Sequence, residues 1–426
     1  MKPQDLDTHR HRASARRPRV AAPRTGFWLY AGHLLAIWGL AVSNLFHGLL
    51  IVWSAIESRS LRRVARRLRA DAYDARLLAA VFVPATLAVA LFTLSCLTSL
   101  EPTVSLPELR DVVSWLTLFL APLVVRGEAA VRRLVDLLLG LVVLLAVHGI
   151  VQYYLTDYGP LHRRIVGLFS HYQTFAGVLL IGALLFAARL ASPRRDAWTW
   201  AGFGIVLWCL VLTLTRGAWV GAAVTLLGFV LLRLVRRERP LAAVGTVTVA
   251  IALALVAGLI APGSWQERLT SIHDLRDVSN YDRLCMAEAA LFMISERPLV
   301  GVGPEVVPTR YAIYRHPTAP RLEVPHLHNT YLQRAAELGL PSLAAHLWLL
   351  GAIAWAARRR YLDEGGADGA RADLLLGTLL VVCGFAIAGF FEDNWRDTEI
   401  RRLALFVFAI PLCLRHAAPR RSSPEA

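Results

Sequence analysis

Long apolar runs recur along most of the chain, and the short polar turns between them alternate in charge. A membrane-crossing helix needs about 20 apolar residues, so the runs near 77–98, 134–155, 165–190 and 241–261 predict transmembrane helices. Runs near 112–125, 197–214, 217–234, 342–357, 372–391 and 402–415 extend the series. Glu101, Glu108 and Asp111 follow the first run, Arg126, Arg132 and Arg133 the next, and Asp157 the one after. Arg189, Arg194 and Arg195 return the chain to the basic side, as do Arg233, Arg236, Arg237 and Arg239. Arg358, Arg359 and Arg360 form a late basic turn, and Glu392 and Asp393 an acidic one. Basic loops stay in the cytoplasm. Residues 27–56 have arginines on both flanks, so they predict two short helices that dip in and return.

Counted this way, the chain is an all-α, polytopic integral membrane protein of about twelve spans, with both termini cytoplasmic. A basic tail (1–26) leads to helices 1–9 (27–261), then a long loop (262–341), helices 10–12 (342–415) and a second tail (416–426). The loop carries both signs of charge, as expected of a segment that translocates regardless of charge, and is placed in the periplasm.

Composition fits the same class. Hydrophobic residues make up 56% of the chain, and the formal net charge is +15. That charge lies between apolar runs rather than along a solvated face, which excludes nucleic acid as its partner and leaves membrane lipid. Lys2 is the only lysine. Cys96, Cys209, Cys383 and Cys413 fall in apolar runs and Cys285 in the loop, so neither a disulfide framework nor a zinc site is indicated. The basic start followed by a long apolar run from Phe27 predicts an uncleaved signal-anchor.

Candidate chemistry gathers on the predicted outer side. Asn329 can cap a helix starting at Thr330, which sets His328 just ahead of a helix N-terminus, where the dipole favours the neutral imidazole a general base requires. His326, two residues back, competes for that role, and an incidental histidine at a capped junction is the plain reading. Arg216, among Leu212, Leu214, Ala218 and Trp219, calls for an anionic partner unless it snorkels to the interface. Arg283 begins a predicted helix, Leu284 to Glu296, where a cation is disfavoured unless an anion binds or Asp282 or Asp277 pairs with it. The apolar positions Leu284, Ala287, Leu291 and Ile294 suit a helix lying along the membrane surface. Gly301, Val302, Gly303 and Pro304 read as a turn, with a phosphate cradle as the sharper alternative. Arg310, Arg315 and Arg321 add positive charge, and Ser170, His171, Tyr172 and Gln173 form a polar patch before a helix. Glu392 and Asp393 read as charge partners for an outer arginine.

Three of these segments resemble the O-antigen ligase and O-antigen polymerase superfamily of bacterial envelope proteins. They are Thr215 to Trp219, Arg283-Leu284 leading to Pro298 to Gly303, and His328-Asn329 followed after nine residues by Gly339-Leu340-Pro341-Ser342. In order and topology the resemblance covers nearly the whole chain; Ala287 departs from it, standing where many members have tryptophan. The resemblance implies Arg216 and Arg283 on the pyrophosphate of an undecaprenyl-linked glycan and His328 as base on the acceptor hydroxyl, with His326, Asn329 and Arg315 as possible support. The ligase type, which moves the glycan to a lipid A-core sugar, is favoured by the final spacing; a polymerase acts on a lipid-linked acceptor. The site would face the periplasm from the bacterial inner membrane. Negative charge grows on the leaving pyrophosphate, which arginine meets without a metal, so an inverting transferase with no metal or cofactor is expected. A lipid-glycan transporter is disfavoured because the ionisable groups gather at one face rather than along the helices.

Overall fold

The computed structural model describes residues 24–155, 164–193, 195–235, 278–366 and 369–414, and among them there is no strand. The expected helix near 241–261, residues 1–23 of the first tail, the second tail and the start of the long loop lie outside these residues, while Arg24 to Gly26 of the expected tail open the first helix. Five helices are long and apolar enough to cross a membrane, or up to six if one bent pair counts as a span.

The early apolar run forms α1 (Arg24–Leu35) and α2 (Leu40–Ile56), which pack on each other around a turn ending at Gly39. At about 1.5 Å per residue, α1 covers about 18 Å, too little to cross alone. Next, α3 (Ser58–Ala70) bends 82° away, burying Leu61, Val64 and Leu68 and turning its arginines outward. Two polar residues of α2 have partners: Arg402 donates to Ser43 Oγ at 2.8 Å and to Asn44 Oδ1 at 2.7 Å.

Helix α4 (Ala72–Leu97) is capped by Asp71, whose carboxylate accepts from two backbone N–H groups. The run expected near 112–125 begins earlier and is irregular. It comprises α5 (Pro102–Ser105), a 3-10 helix over Leu106–Trp115 and the nine-residue α6 (Leu116–Val124), with prolines at 107 and 122 limiting regular hydrogen bonding. Long α7 (Glu128–Leu155) follows.

Helix α8 (Tyr172–Leu190) is the buried axis, packed by α7, α9 (Ala197–Leu212) and α10 (Arg216–Val235). The outer segment contributes α11 (Val278–Glu296), α12 (Val307–Tyr314) and α13 (Thr330–Leu338). It is followed by α14 (Leu340–Asp363), α15 (Ala372–Ala388) and α16 (Thr398–Cys413). α15 and α16 close over α8, where Gly177 leaves room for Ile400 and Gly377 for Leu185.

The Pro298–Pro304 run is packing rather than a phosphate cradle. Val302 N–H and Gly303 N–H donate to the carbonyls of Ala336 and Glu337, both at 2.9 Å. A Cβ on Gly301 would stand 2.2 Å from Glu337 backbone, and one on Gly339 2.4 Å from the Leu299 carbonyl. Both glycines have positive φ, so the spacing from His328 to Gly339 marks where α13 must pass against this run. On α11, Met286, Ala289, Ala290 and Met293 are buried, while Leu284, Leu291 and Phe292 stay exposed on the other face.

Candidate active site

Three elements bring the sequence candidates together. Arg216 opens α10 directly after a turn in which Leu214 takes a left-handed conformation, φ 54°. A Cβ on Gly217 would lie 2.8 Å from Phe391 Cβ, so glycine there lets the start of α10 close onto the turn between α15 and α16. Arg283 sits more than a turn inside α11 rather than at its start, because the helix begins at Val278. Its neighbour Asp282 pairs with Arg321 at 3.1 Å. His328 precedes α13 with φ 50°, and its helix is capped by Asn329 Oδ1, which accepts from Tyr331 and Leu332 N–H.

Arg216, Arg283 and His328 line one cavity of about 180 Å³, joined by Arg164, Arg321 and Glu392. Arg164 lies over the Tyr172 ring at 4.2 Å. Burial lowers the Arg283 pKa, Glu392 pulls it up, and the Arg216 guanidinium lowers it again. Arginine stays charged in proteins, so two cations are held side by side in a pocket that an anion would neutralise.

Glu392 is 5% exposed and organises the histidines. His328 Nδ1 lies 3.1 Å and His326 Nε2 3.3 Å from its oxygens, and Gln173 donates to it as well. Burial pushes the Glu392 carboxyl up, but the His328 hydrogen bond and the adjacent His326 outweigh this and hold it below the usual carboxylate range. Its ionised oxygens only accept, so the proton on His328 is assigned to Nδ1. His326 Nδ1 accepts from His328 N–H at 3.2 Å, which puts the His326 proton on Nε2, toward Glu392. Both His326 nitrogens are thereby engaged, whereas His328 Nε2 has no hydrogen-bond partner among the described residues. Burial pushes His326 down to about 4, despite the opposing pull of Glu392.

The ligand atoms of His326, His328 and Glu392 all lie within 4.8 Å of one another, close enough to hold one metal ion. As it stands, Glu392 spends both oxygens on hydrogen bonds to the histidines and Gln173.

Other candidates are placed differently. Arg315 does not line this cavity, and its guanidinium donates to the His316 carbonyl at 3.5 Å. Arg310 pairs with Glu101 at 2.8 Å. Asn329 is spent on its cap and on Phe390 O, leaving it a structural part. Tyr172 and Gln173 face the cavity, while His171 caps α8. Glu392 partners histidines rather than an arginine within ion-pair distance; no spacing signal marks this pair, since 64 residues separate it from His328. Asp393 accepts from Thr330 Oγ1 at 3.1 Å.

These features define an all-helical membrane protein with an arginine-lined cavity against a histidine–carboxylate group. Residues 201–347 match a protein-family model described as O-antigen ligase, and the match supports the O-antigen ligase superfamily for this chain. It includes Arg216, Arg283 and His328 and stops short of Glu392. No curated protein matches the chain.

Proposed function

We propose that the protein is an O-antigen ligase-type glycosyltransferase, moving a polysaccharide from undecaprenyl pyrophosphate to a lipid A-core sugar at the periplasmic face of the inner membrane. One observation carries the reading: both arginines and His328 line one cavity, and His328 keeps Nε2 free of hydrogen bonds among the described residues. The acceptor hydroxyl attacks the anomeric carbon, its oxygen forming the new glycosidic bond as the carbon–oxygen bond to pyrophosphate breaks. His328 Nε2 takes the hydroxyl proton, and Glu392 steadies the resulting imidazolium through Nδ1–H. Arg216 and Arg283 meet the charge growing on the departing pyrophosphate. Attack opposite the leaving group inverts the anomeric configuration.

The second reading is polymerisation, the same chemistry with a lipid-linked repeat as acceptor. Gene deletion separates the two on a lipopolysaccharide gel. Loss of all capped lipopolysaccharide with accumulation of long lipid-linked chains supports ligation; core bearing a single repeat supports polymerisation, and an unchanged pattern overturns both. Transfer by the purified protein is expected to survive thorough chelation, and loss restored only by added divalent metal would instead assign His326, His328 and Glu392 to an ion.

A further inference from the structure

The end of the bundle away from the histidines carries a recess of different character. Gly127 N–H donates to the Cys413 carbonyl at 3.0 Å. The turn between α6 and α7 therefore stands at the far end of α16 from the Glu392–Asp397 turn, about 24 Å along the helix. The start of α1 packs against this turn and the opening of α7. Between them lies a cavity of about 460 Å³, inside the range of about 300–1,000 Å³ common for ligand pockets. Arg24, Arg126 and Arg133 line it, over an apolar floor of Phe27, Trp28 and two alanines.

Three guanidinium groups around one space repel each other unless an anion joins them. The lining supplies none, for no acid lines the cavity among the described residues. Glu128, beside the turn, is spent on Arg132 at 2.8 Å and Arg371 at 3.3 Å, and Asp136 is held by Arg189. Arg132 turns inward to Glu128 and Asp373, whereas adjacent Arg133 is exposed. The sequence before Arg24 adds more positive charge, with Lys2 and five arginines against Asp5 and Asp7.

A second feature makes the anion a lipid. Leu137, Leu144, Val147 and Val151 are exposed, and at about 100° per residue they share a face of α7 with Arg133. The arginine heads an apolar stripe about 27 Å long, close to the thickness of the bilayer's hydrocarbon core. Trp28, exposed beside the guanidinium groups, carries the kind of ring that settles at headgroup depth. Phosphate at one end and an acyl chain beyond it would satisfy arginines and stripe together; a free phosphate would leave the stripe and the indole unused.

We propose that this recess binds an anionic phospholipid of the cytoplasmic leaflet, its phosphate among Arg24, Arg126 and Arg133 and an acyl chain along the α7 stripe. The site stands whether or not the protein is a transferase. Full-length protein in detergent is titrated with each of three probes, and the bound fraction is read by native mass spectrometry. They are dioleoyl phosphatidylglycerol, dioleoyl phosphatidylcholine, which has the same chains and no net charge, and glycerol phosphate, the anion without chains. Phosphatidylglycerol is expected to bind at least about tenfold more tightly than either of the others. Arg24→Gln and Arg133→Gln, both at exposed positions, should each weaken it about fivefold. Replacing Arg62 and Arg66 together by glutamine, on the exposed face of α3, should leave it unchanged.

Equal affinity for phosphatidylcholine overturns the proposal, because the arginines would then select nothing. So does equal affinity for glycerol phosphate, which would make the recess a plain anion site. Unchanged binding in both cavity variants, or an equal loss in the α3 variant, overturns it as well by spreading the attraction over the whole basic surface.

Discussion

Two cavities, one lined by Glu392 and the other by Arg396 and Asp397 of the same turn, differ in charge. The smaller gathers Arg164, Arg216, Arg283 and Arg321 against Asp282 and Glu392; the larger holds five carboxylates against three guanidinium groups. The contrast teaches that one short turn can border two surfaces of different chemistry. An arginine cluster suits an anion by charge and fork geometry, whereas most of the acids on the other surface are spent on arginine partners. Glu392 is the acid that, among the described residues, pairs with histidines.

The sharpest way to break this contrast is to remove its reacting parts. His328→Ala and Arg216→Ala should each cut transfer by about 10²–10⁴-fold in a detergent assay of lipid-linked donor consumption, with the protein still in the membrane. Near-normal turnover in His328→Ala together with loss in His326→Ala would reassign the base. A smaller effect is expected one step back from the chemistry. Glu392→Gln should lower kcat on the order of 10²-fold while leaving the donor KM near normal, because the amide no longer fixes the His328 tautomer. A changed donor KM with unchanged kcat would instead make Glu392 a donor-binding group.

The smallest effect concerns the acidic side alone. Burial, with Glu305 adding to it, pushes the Glu337 carboxyl up to about 8. The ordinary value is about 4.3, so between these two the folded protein holds a proton the unfolded chain has lost. Its contribution is fully present below about 4.3 and fades as pH rises through about 8. Glu337→Gln should flatten the fall in thermal midpoint over that window, by a few degrees at most in a detergent melt. An unchanged pH slope would mean that Glu337 is ionised in the fold.

Much of this was legible in the sequence, for identifiable reasons. The apolar periodicity and turn composition place α9, α10, α15 and α16 to within about four residues at each end, α4, α7 and α14 to within about six, and Asn329 as a cap. The run at 112–125 misled because Pro107 and Pro122 break the helix its hydropathy suggests. The arginines and His328 were found as isolated polar residues at apolar borders. Glu392 could not be paired with His328 from sequence, because hydrogen bonds from Asn329, Thr330 and Tyr331 to the end of α15 and the turn after it bring them together. Nor could the cavity holding His47, since its walls come from α2, the 3-10 helix and the start of α16.

His328 also carries a cost that its side chain does not reveal. Its backbone is left-handed, a conformation that glycine adopts freely and a residue with a Cβ adopts only under strain. A glycine here would relax the loop, but it would discard the imidazole that pairs the buried Glu392 carboxylate, so the backbone and the ion pair pull this position in opposite directions.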